Sequence, residues 1–250
     1  ITFLLNKLTF AWQNCVIAVS KDVKKSILQN IDSKTTIRTI LNGVNTVKFK
    51  RNNELAINIK NEYGIPENAL VVGTMAVFRF QKRLVEWLQV FKVASDQNPN
   101  LFGIIVGDGP LKEELILERA RLGLEERVLM PGLQTNTQAW FSTMDIFMMS
   151  SVFEGLPIAL LEAMSMECAI ITTDAGGVKE VIRYEHDGLI VPVGEWPQLA
   201  NQLEKVAVNK EYRIILGQAA RKRVEEDFSM TRMVKELETV YQLYRNKSGI

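Results

Sequence analysis

From residue 69 onward, short apolar runs alternate with stretches whose apolar residues recur at helical spacing. The runs are ALVVGTMAVF (69–78), LFGIIVGDG (101–109), ERVLMPG (126–132), DIFMMSS (145–151), CAIITTD (168–174) and GLIVPV (188–193). Between them lie segments such as LVEWLQVFKVA (84–94) and LKEELILERARL (111–122). Near-continuous hydrophobic strands separated by helices predict a parallel sheet covered on both faces. Such sheets bind ligands beyond the carboxyl ends of their strands, where strand order reverses. Three strand ends open into Gly- or Pro-bearing turns, GDGP (107–110), PG (131–132) and EGLP (154–157), and mark one edge as the working edge.

Three further helices are expected near 195–208, 210–225 and 229–247. Residues 1–31 offer one strand, CVIAVS (15–20), with a helical segment on each side. A single strand of this kind cannot bury itself. Residues 1–31 are therefore expected to be the trailing end of another domain, with TIRTILNGVNTVKF (36–49) as the connection onward.

Composition narrows the picture. The chain has 250 residues, 47% of them hydrophobic, enough for a sizeable core, and a formal net charge of +1. That balance gives no basic footprint for nucleic acid. Lys21, Lys24 and Lys25 read as a solvated helix face. Cys15 and Cys168 lie far apart in apolar surroundings and read as small core residues, which favours a reducing compartment. No run approaches the roughly 20 apolar residues of a membrane span. The opening ITFLL lacks the basic flank and cleavage site of a signal peptide.

The chemistry concentrates in SVFEGLPIALLEAM (151–164). Pro157 suits a helix start, where unpaired backbone N–H groups and the helix dipole attract anions. Gly155 removes a side chain that would keep a phosphate at a distance. Glu162 falls roughly 8 Å further along the helix axis. That is the reach from a diphosphate to a ribose, whose diol a carboxylate can accept. Glu154 precedes the turn, on the side where a group beyond the diphosphate would lie. Two glutamates eight positions apart are weak evidence alone; the strand, Gly, Pro and second Glu in this order give the pair its weight.

This passage, with CAIITTDAGGVKEVI (168–182) and HDGLIVPV (186–193), closely resembles the donor-binding half of glycosyltransferase family 4, retaining enzymes of the GT-B fold. LNGVN (41–45), LFGIIVGDGPLKEEL (101–115) and VLMPGLQTN (128–136) agree, and the likeness runs from about residue 13 to 228. The resemblance implies an α/β, Rossmann-like, doubly wound parallel sheet that forms the second half of a two-domain GT-B fold. Residues 1–40 would then be a remnant of the N-terminal domain with the interdomain connection, 41–228 the nucleotide-sugar-binding domain, and 229–250 a helix packing back on the N-terminal domain.

The same resemblance places Glu154 beside the transferred sugar and Glu162 on the ribose. It puts Gly155, Leu156 and Pro157 at the diphosphate and Leu133 beside the base. Lys82 matches the phosphate-binding lysine, a cation suited to the charge that builds on a departing nucleoside diphosphate. The family pattern has Arg five positions before this lysine and Gly after it; here stand Val77 and Arg83. Arg79 and Arg83 are the local candidates to supply the missing charge. His186, the only histidine, reads as a surface turn residue. Gly107 and Gly109 read as a tight turn, Glu180 as a complement to the dipole of the helix it opens, and Trp87, Trp140 and Phe141 as core.

The resemblance implies transfer of a sugar from a nucleoside-diphosphate donor to a sugar or lipid-linked acceptor, in polysaccharide or glycolipid synthesis. It implies no cofactor, no metal and no nucleic acid. It also implies a cytoplasmic setting, with peripheral association at the inner membrane face left open. A nucleotide-sugar-binding module without catalysis and a non-hydrolysing sugar-nucleotide epimerase are the alternatives.

Overall fold

The computed structural model describes residues 10, 12–31 and 35–248. The elements are β1 (Cys15–Ala18), α1 (Lys21–Asn30), β2 (Thr36–Thr39), α2 (Asn53–Glu62), β3 (Leu70–Met75), α3 (Leu84–Gln97), β4 (Leu101–Val106) and α4 (Lys112–Arg121). There follow β5 (Val128–Gly132), α5 (Thr137–Thr143), β6 (Ile146–Met149), α6 (Ile158–Ser165), β7 (Ala169–Thr173), α7 (Val178–Val181), β8 (Leu189–Val191), α8 (Trp196–Val208), α9 (Lys210–Asp227) and α10 (Met230–Ser248).

All six expected strands from residue 69 onward form one sheet in the order β5-β4-β3-β6-β7-β8, and every pairing is parallel. Counted from β3 this is the 3-2-1-4-5-6 order of a doubly wound nucleotide-binding fold, with its reversal between β3 and β6. Side chains alternate between two cores as the pleat requires. On β6, Phe147 and Met149 join Trp140, Phe141 and Leu160 on one face, while Ile146 and Met148 join Trp87, Phe91 and Leu199 on the other. Trp87, Trp140 and Phe141 are core residues, as their spacing predicts.

The first expectation to change concerns the N-terminal segment. β1 is not a single strand: it pairs in parallel with β2, Val16 opposite Ile37 and Ala18 opposite Thr39. TIRT, expected as connection, alternates exposed and buried positions with β-branched residues, as a short strand does. The helical segment expected before Cys15 lies, apart from Phe10, outside the described residues. Cys168 is buried in the core; Cys15 is half-buried.

After β2 the chain crosses the segment that leads from α9 into α10. Val44 N–H donates to Phe228 O at 2.8 Å and Met230 N–H to Val44 O at 2.9 Å. A Cβ on Gly43 would lie 2.6 Å from Ser229 O, so the LNGVN glycine permits that approach.

Candidate functional site

The loops after β3 and β6 meet at the sheet reversal. The β3 loop carries a single 3-10 turn, Phe80–Lys82. Gln81 O accepts from Val152 N–H at 2.9 Å, which brings the loops into contact. Lys82 Nζ lies 2.6 Å from Glu154 Oε1, an ion pair across 72 positions of chain. Ser151 Oγ donates to the same oxygen at 2.7 Å, and Glu154 is nearly buried. The two residues expected at the transferred sugar and at the phosphate are therefore direct neighbours. An ammonium carries three N–H donors, so Lys82 keeps donors for an incoming anion.

Beyond Glu154 the chain turns into α6. Pro157 (φ −72°, ψ 121°) stands at its N-cap, one position before the first turn. Among the described residues, the amides of Gly155, Leu156 and Ile158 donate to no partner, the condition that makes a helix start an anion site. Gly155 departs from expectation: a Cβ there would meet Val19 Cγ2 at 3.2 Å and Val23 Cγ2 at 3.6 Å. The space it leaves is filled by the 19–23 segment, so the glycine serves that packing while its amide stays free.

The Gly176–Gly177 pair supports this turn from behind. A Cβ on Gly176 would fall 1.9 Å from Glu154 O, and one on Gly177 2.1 Å from Gly155 O. Gly177 N–H donates to Gly155 O at 3.1 Å. Only backbone fits there, and the carbonyls of Glu154 and Gly155 are thereby held fixed.

Glu162, just over a helical turn into α6, joins no ion pair and accepts no hydrogen bond among the described residues. Burial pushes its carboxyl up to about 7, against a smaller opposing pull from the Lys48 ammonium. A half-buried carboxylate lacking donors is chemically suited to two hydroxyls of a diol.

The remaining candidates divide. Arg79 is exposed and its side chain has no partner among the described residues. Arg83 is engaged elsewhere: it pairs with Glu86 and stacks 5.2 Å from the Trp196 ring. Its φ of +50° also explains why the family pattern has Gly here, since the left-handed region favours glycine. Leu133 follows Gly132 at the end of β5 and is 78% exposed. Leu156 is buried, its carbonyl accepting from Asn42 Nδ2 at 2.8 Å. Gly107 and Gly109 form the expected close turn, with Cβ positions 1.9 Å from Ala76 O and 2.6 Å from Phe78 N. His186 is exposed.

Glu180 requires a correction. Its carboxylate does not serve its own helix; it accepts from the amides of Lys21 and Asp22, each at 3.0 Å, at the start of α1. A tertiary contact claims the carboxylate, because α1 presents free N–H groups within its reach. Residue-level reading also missed Ser150, Ser151 and Lys48. The serines sit where a strand meets the motif, and that position was the available signal; Lys48, 114 positions before Glu162, had none. Among the described residues no three His, Cys, Asp or Glu side chains gather as a metal site requires, and no helix is long and apolar enough to cross a membrane.

The six-stranded parallel sheet and its order define a doubly wound α/β domain. The pattern of the glycosyl transferases group 1 matches residues 56–223, and the chain belongs to that family. N-acetyl-alpha-D-glucosaminyl L-malate synthase of Bacillus anthracis is 30% identical, over 90% of this chain and 58% of that protein. The capsular polysaccharide biosynthesis glycosyltransferase CapM of Staphylococcus aureus is 24% identical, over 99% of this chain and 66% of that protein. The chain thus spans about three-fifths of the length of these relatives. Anabaena HepE, solved with UDP and glucose, superposes with a TM-score of 0.88 at 19% identity, covering 96% of this chain and 66% of the other, and shares the fold.

Proposed function

We propose that this chain is the donor-binding part of a retaining glycosyltransferase of family 4, which moves a sugar from a nucleoside-diphosphate donor to an acceptor hydroxyl. The observation that carries the reading is the unpartnered Glu162 carboxylate just over a helical turn from the unpartnered amides of α6, with Lys82 and Glu154 paired at the other side. The amides and Lys82 hold the diphosphate and Glu162 holds the ribose diol. Arg79 lies free to reach the same phosphates, and Leu133 borders the base. Glu154 faces the sugar.

In the transfer, the bond between sugar C1 and the diphosphate oxygen breaks and a bond from the acceptor oxygen to C1 forms on the same face. The acceptor proton leaves with the diphosphate. The charge that builds on the leaving group falls between Lys82 and the helix start, where fixed donors stabilise it most. This scheme draws its cationic character from the chain itself and assigns no role to a metal.

Residues 1–40 belong, in this reading, to an N-terminal domain that binds a sugar or lipid-linked acceptor, 41–228 form the donor domain, and α10 packs back across. The setting is cytoplasmic, in polysaccharide or glycolipid synthesis, with membrane association through the N-terminal domain. Because the chain spans only 58% to 66% of those relatives, it is also read as a donor-binding module that catalyses nothing by itself.

Calorimetric titration of the chain with UDP, GDP and ADP tests the proposal. Saturable binding of one of them, abolished in Glu162→Ala, is expected; no heat with any of the three overturns it.

A further inference from the structure

The ion pair at the centre of the site is held by two consecutive serines at the end of β6. Ser151 is fully buried, and its hydroxyl donates to Glu154 Oε1, the oxygen that also receives Lys82. Its own carbonyl accepts from Thr173 Oγ1, which anchors it to β7. Ser150, also buried, directs its hydroxyl the other way, 2.9 Å from Lys82 O and 2.8 Å from Arg83 O. Its carbonyl accepts from Trp196 Nε1 at 3.0 Å. One serine therefore grips the carboxylate of the pair and the other grips the backbone that carries the lysine.

We propose that Ser150 and Ser151 are positioning residues for transfer, setting Lys82 and Glu154 in register from the sheet reversal. This rests on the reading of the site given above. With both known donors of Glu154 on Oε1, the other oxygen, Oε2, is the one left to face the sugar. The Ser150 hydroxyl lies within hydrogen-bond distance of the carbonyls of both peptides that flank Arg83, a residue held in the left-handed region directly after Lys82. A side chain that fixes the rotamer of a reacting group acts on the transition state more than on donor affinity.

The test measures transfer in the natural polypeptide that carries this chain, with UDP-glucose as the probe donor and release of UDP as the readout. Ser151→Ala is expected to lower kcat by on the order of tenfold or more, the effect of removing one hydrogen bond to a charged group. KM for the donor should stay within about twofold. In a Glu154→Ala background the same Ser151→Ala change should cost almost nothing, because a residue that acts through another is non-additive with it. Ser150→Ala should behave likewise with Lys82→Ala. Full additivity in both cycles, or equal losses in kcat and donor affinity, overturns the proposal. Calorimetry of Glu162→Ala in the same preparation separates the two levels: if that variant still binds nucleotide normally, the site reading fails whatever the serines do.

Discussion

Glu180 and Asp22 meet across 158 positions of chain: the Asp22 amide donates to Glu180 Oε1 at 3.0 Å while Oε2 takes the amide of Lys21. Together with the Ser20 hydroxyl, which accepts from Val23 N–H at 3.0 Å, the start of α1 is capped from two sides. One cap is local and the other belongs to the large sheet's loops, so the carboxylate couples the two parts of the structure.

Glu180→Ala is expected to destabilise the protein by about 1–2 kcal/mol, the usual cost of losing a helix cap. The amides of Lys21 and Asp22 should lose hydrogen-exchange protection, while those of β3 and β6 keep theirs. Uniform loss across the sheet would show that the contact is not the local latch its geometry describes.

The raised carboxyl of Glu162 gives a pH dependence of definite sign. An unfolded Glu titrates near 4.5 and this one near 7, so between those values the folded state binds more protons. Its contribution to stability is complete below 4.5 and is lost as pH rises through 7. Glu162→Gln, which cannot ionise, should therefore gain stability relative to the parent between pH 5 and 8 in urea unfolding. A diol binds best to the ionised carboxylate, so UDP affinity should rise over pH 6–8 in the parent and stay level in Glu162→Gln.

Arg79, exposed and without a side-chain partner among the described residues, should matter to ligand and not to fold. Arg79→Ala is expected to leave stability within about 0.5 kcal/mol, as for other surface changes. UDP affinity should fall several-fold, with a shallower salt dependence because one charge is gone from the site. Unchanged affinity in calorimetry at low salt would remove Arg79 from the site.

Behind the motif, Gly177→Ala puts a Cβ 2.1 Å from Gly155 O and 2.9 Å from Ser20 Cβ. Neither neighbour is a flexible side-chain end, so a loss of about 1–3 kcal/mol is expected from overpacking. Nucleotide binding should weaken too, since the Gly155 carbonyl must move. A thermal melt with a parallel UDP titration checks both; a stable variant with intact binding would mean the loop yields more easily than its contacts imply.

Much of the sheet was legible because its strands are buried on both faces. Such strands leave continuous apolar runs in the sequence, and six such runs became β3 to β8. β2 escaped because its four residues TIRT alternate, and its partner lies twenty-one positions upstream. At the candidate site, Glu154 and Glu162 stand out by residue type and spacing, and Lys82 by the family resemblance. Arg83 looked like a phosphate ligand from its place beside Lys82, yet Glu86 and Trp196 compete for its guanidinium. Glu180 looked like a local dipole partner, and a distant helix took it.

What the sequence determined by itself is the succession of six buried strands from residue 69 onward and the residue types, Glu154 and Glu162, that mark a candidate site. These depend on periodicity and residue chemistry, which are local. The tertiary structure decided which oxygen of Glu154 is occupied, where Glu180 and Arg83 spend their charge, why Gly176 and Gly177 must lack side chains, and how Ser150 and Ser151 share the ion pair. Most of these contacts, Lys82 with Glu154, Glu180 with α1, Arg83 with Trp196 and Gly177 with Gly155, span many positions of chain and are set by how the loops pack, which no local pattern encodes.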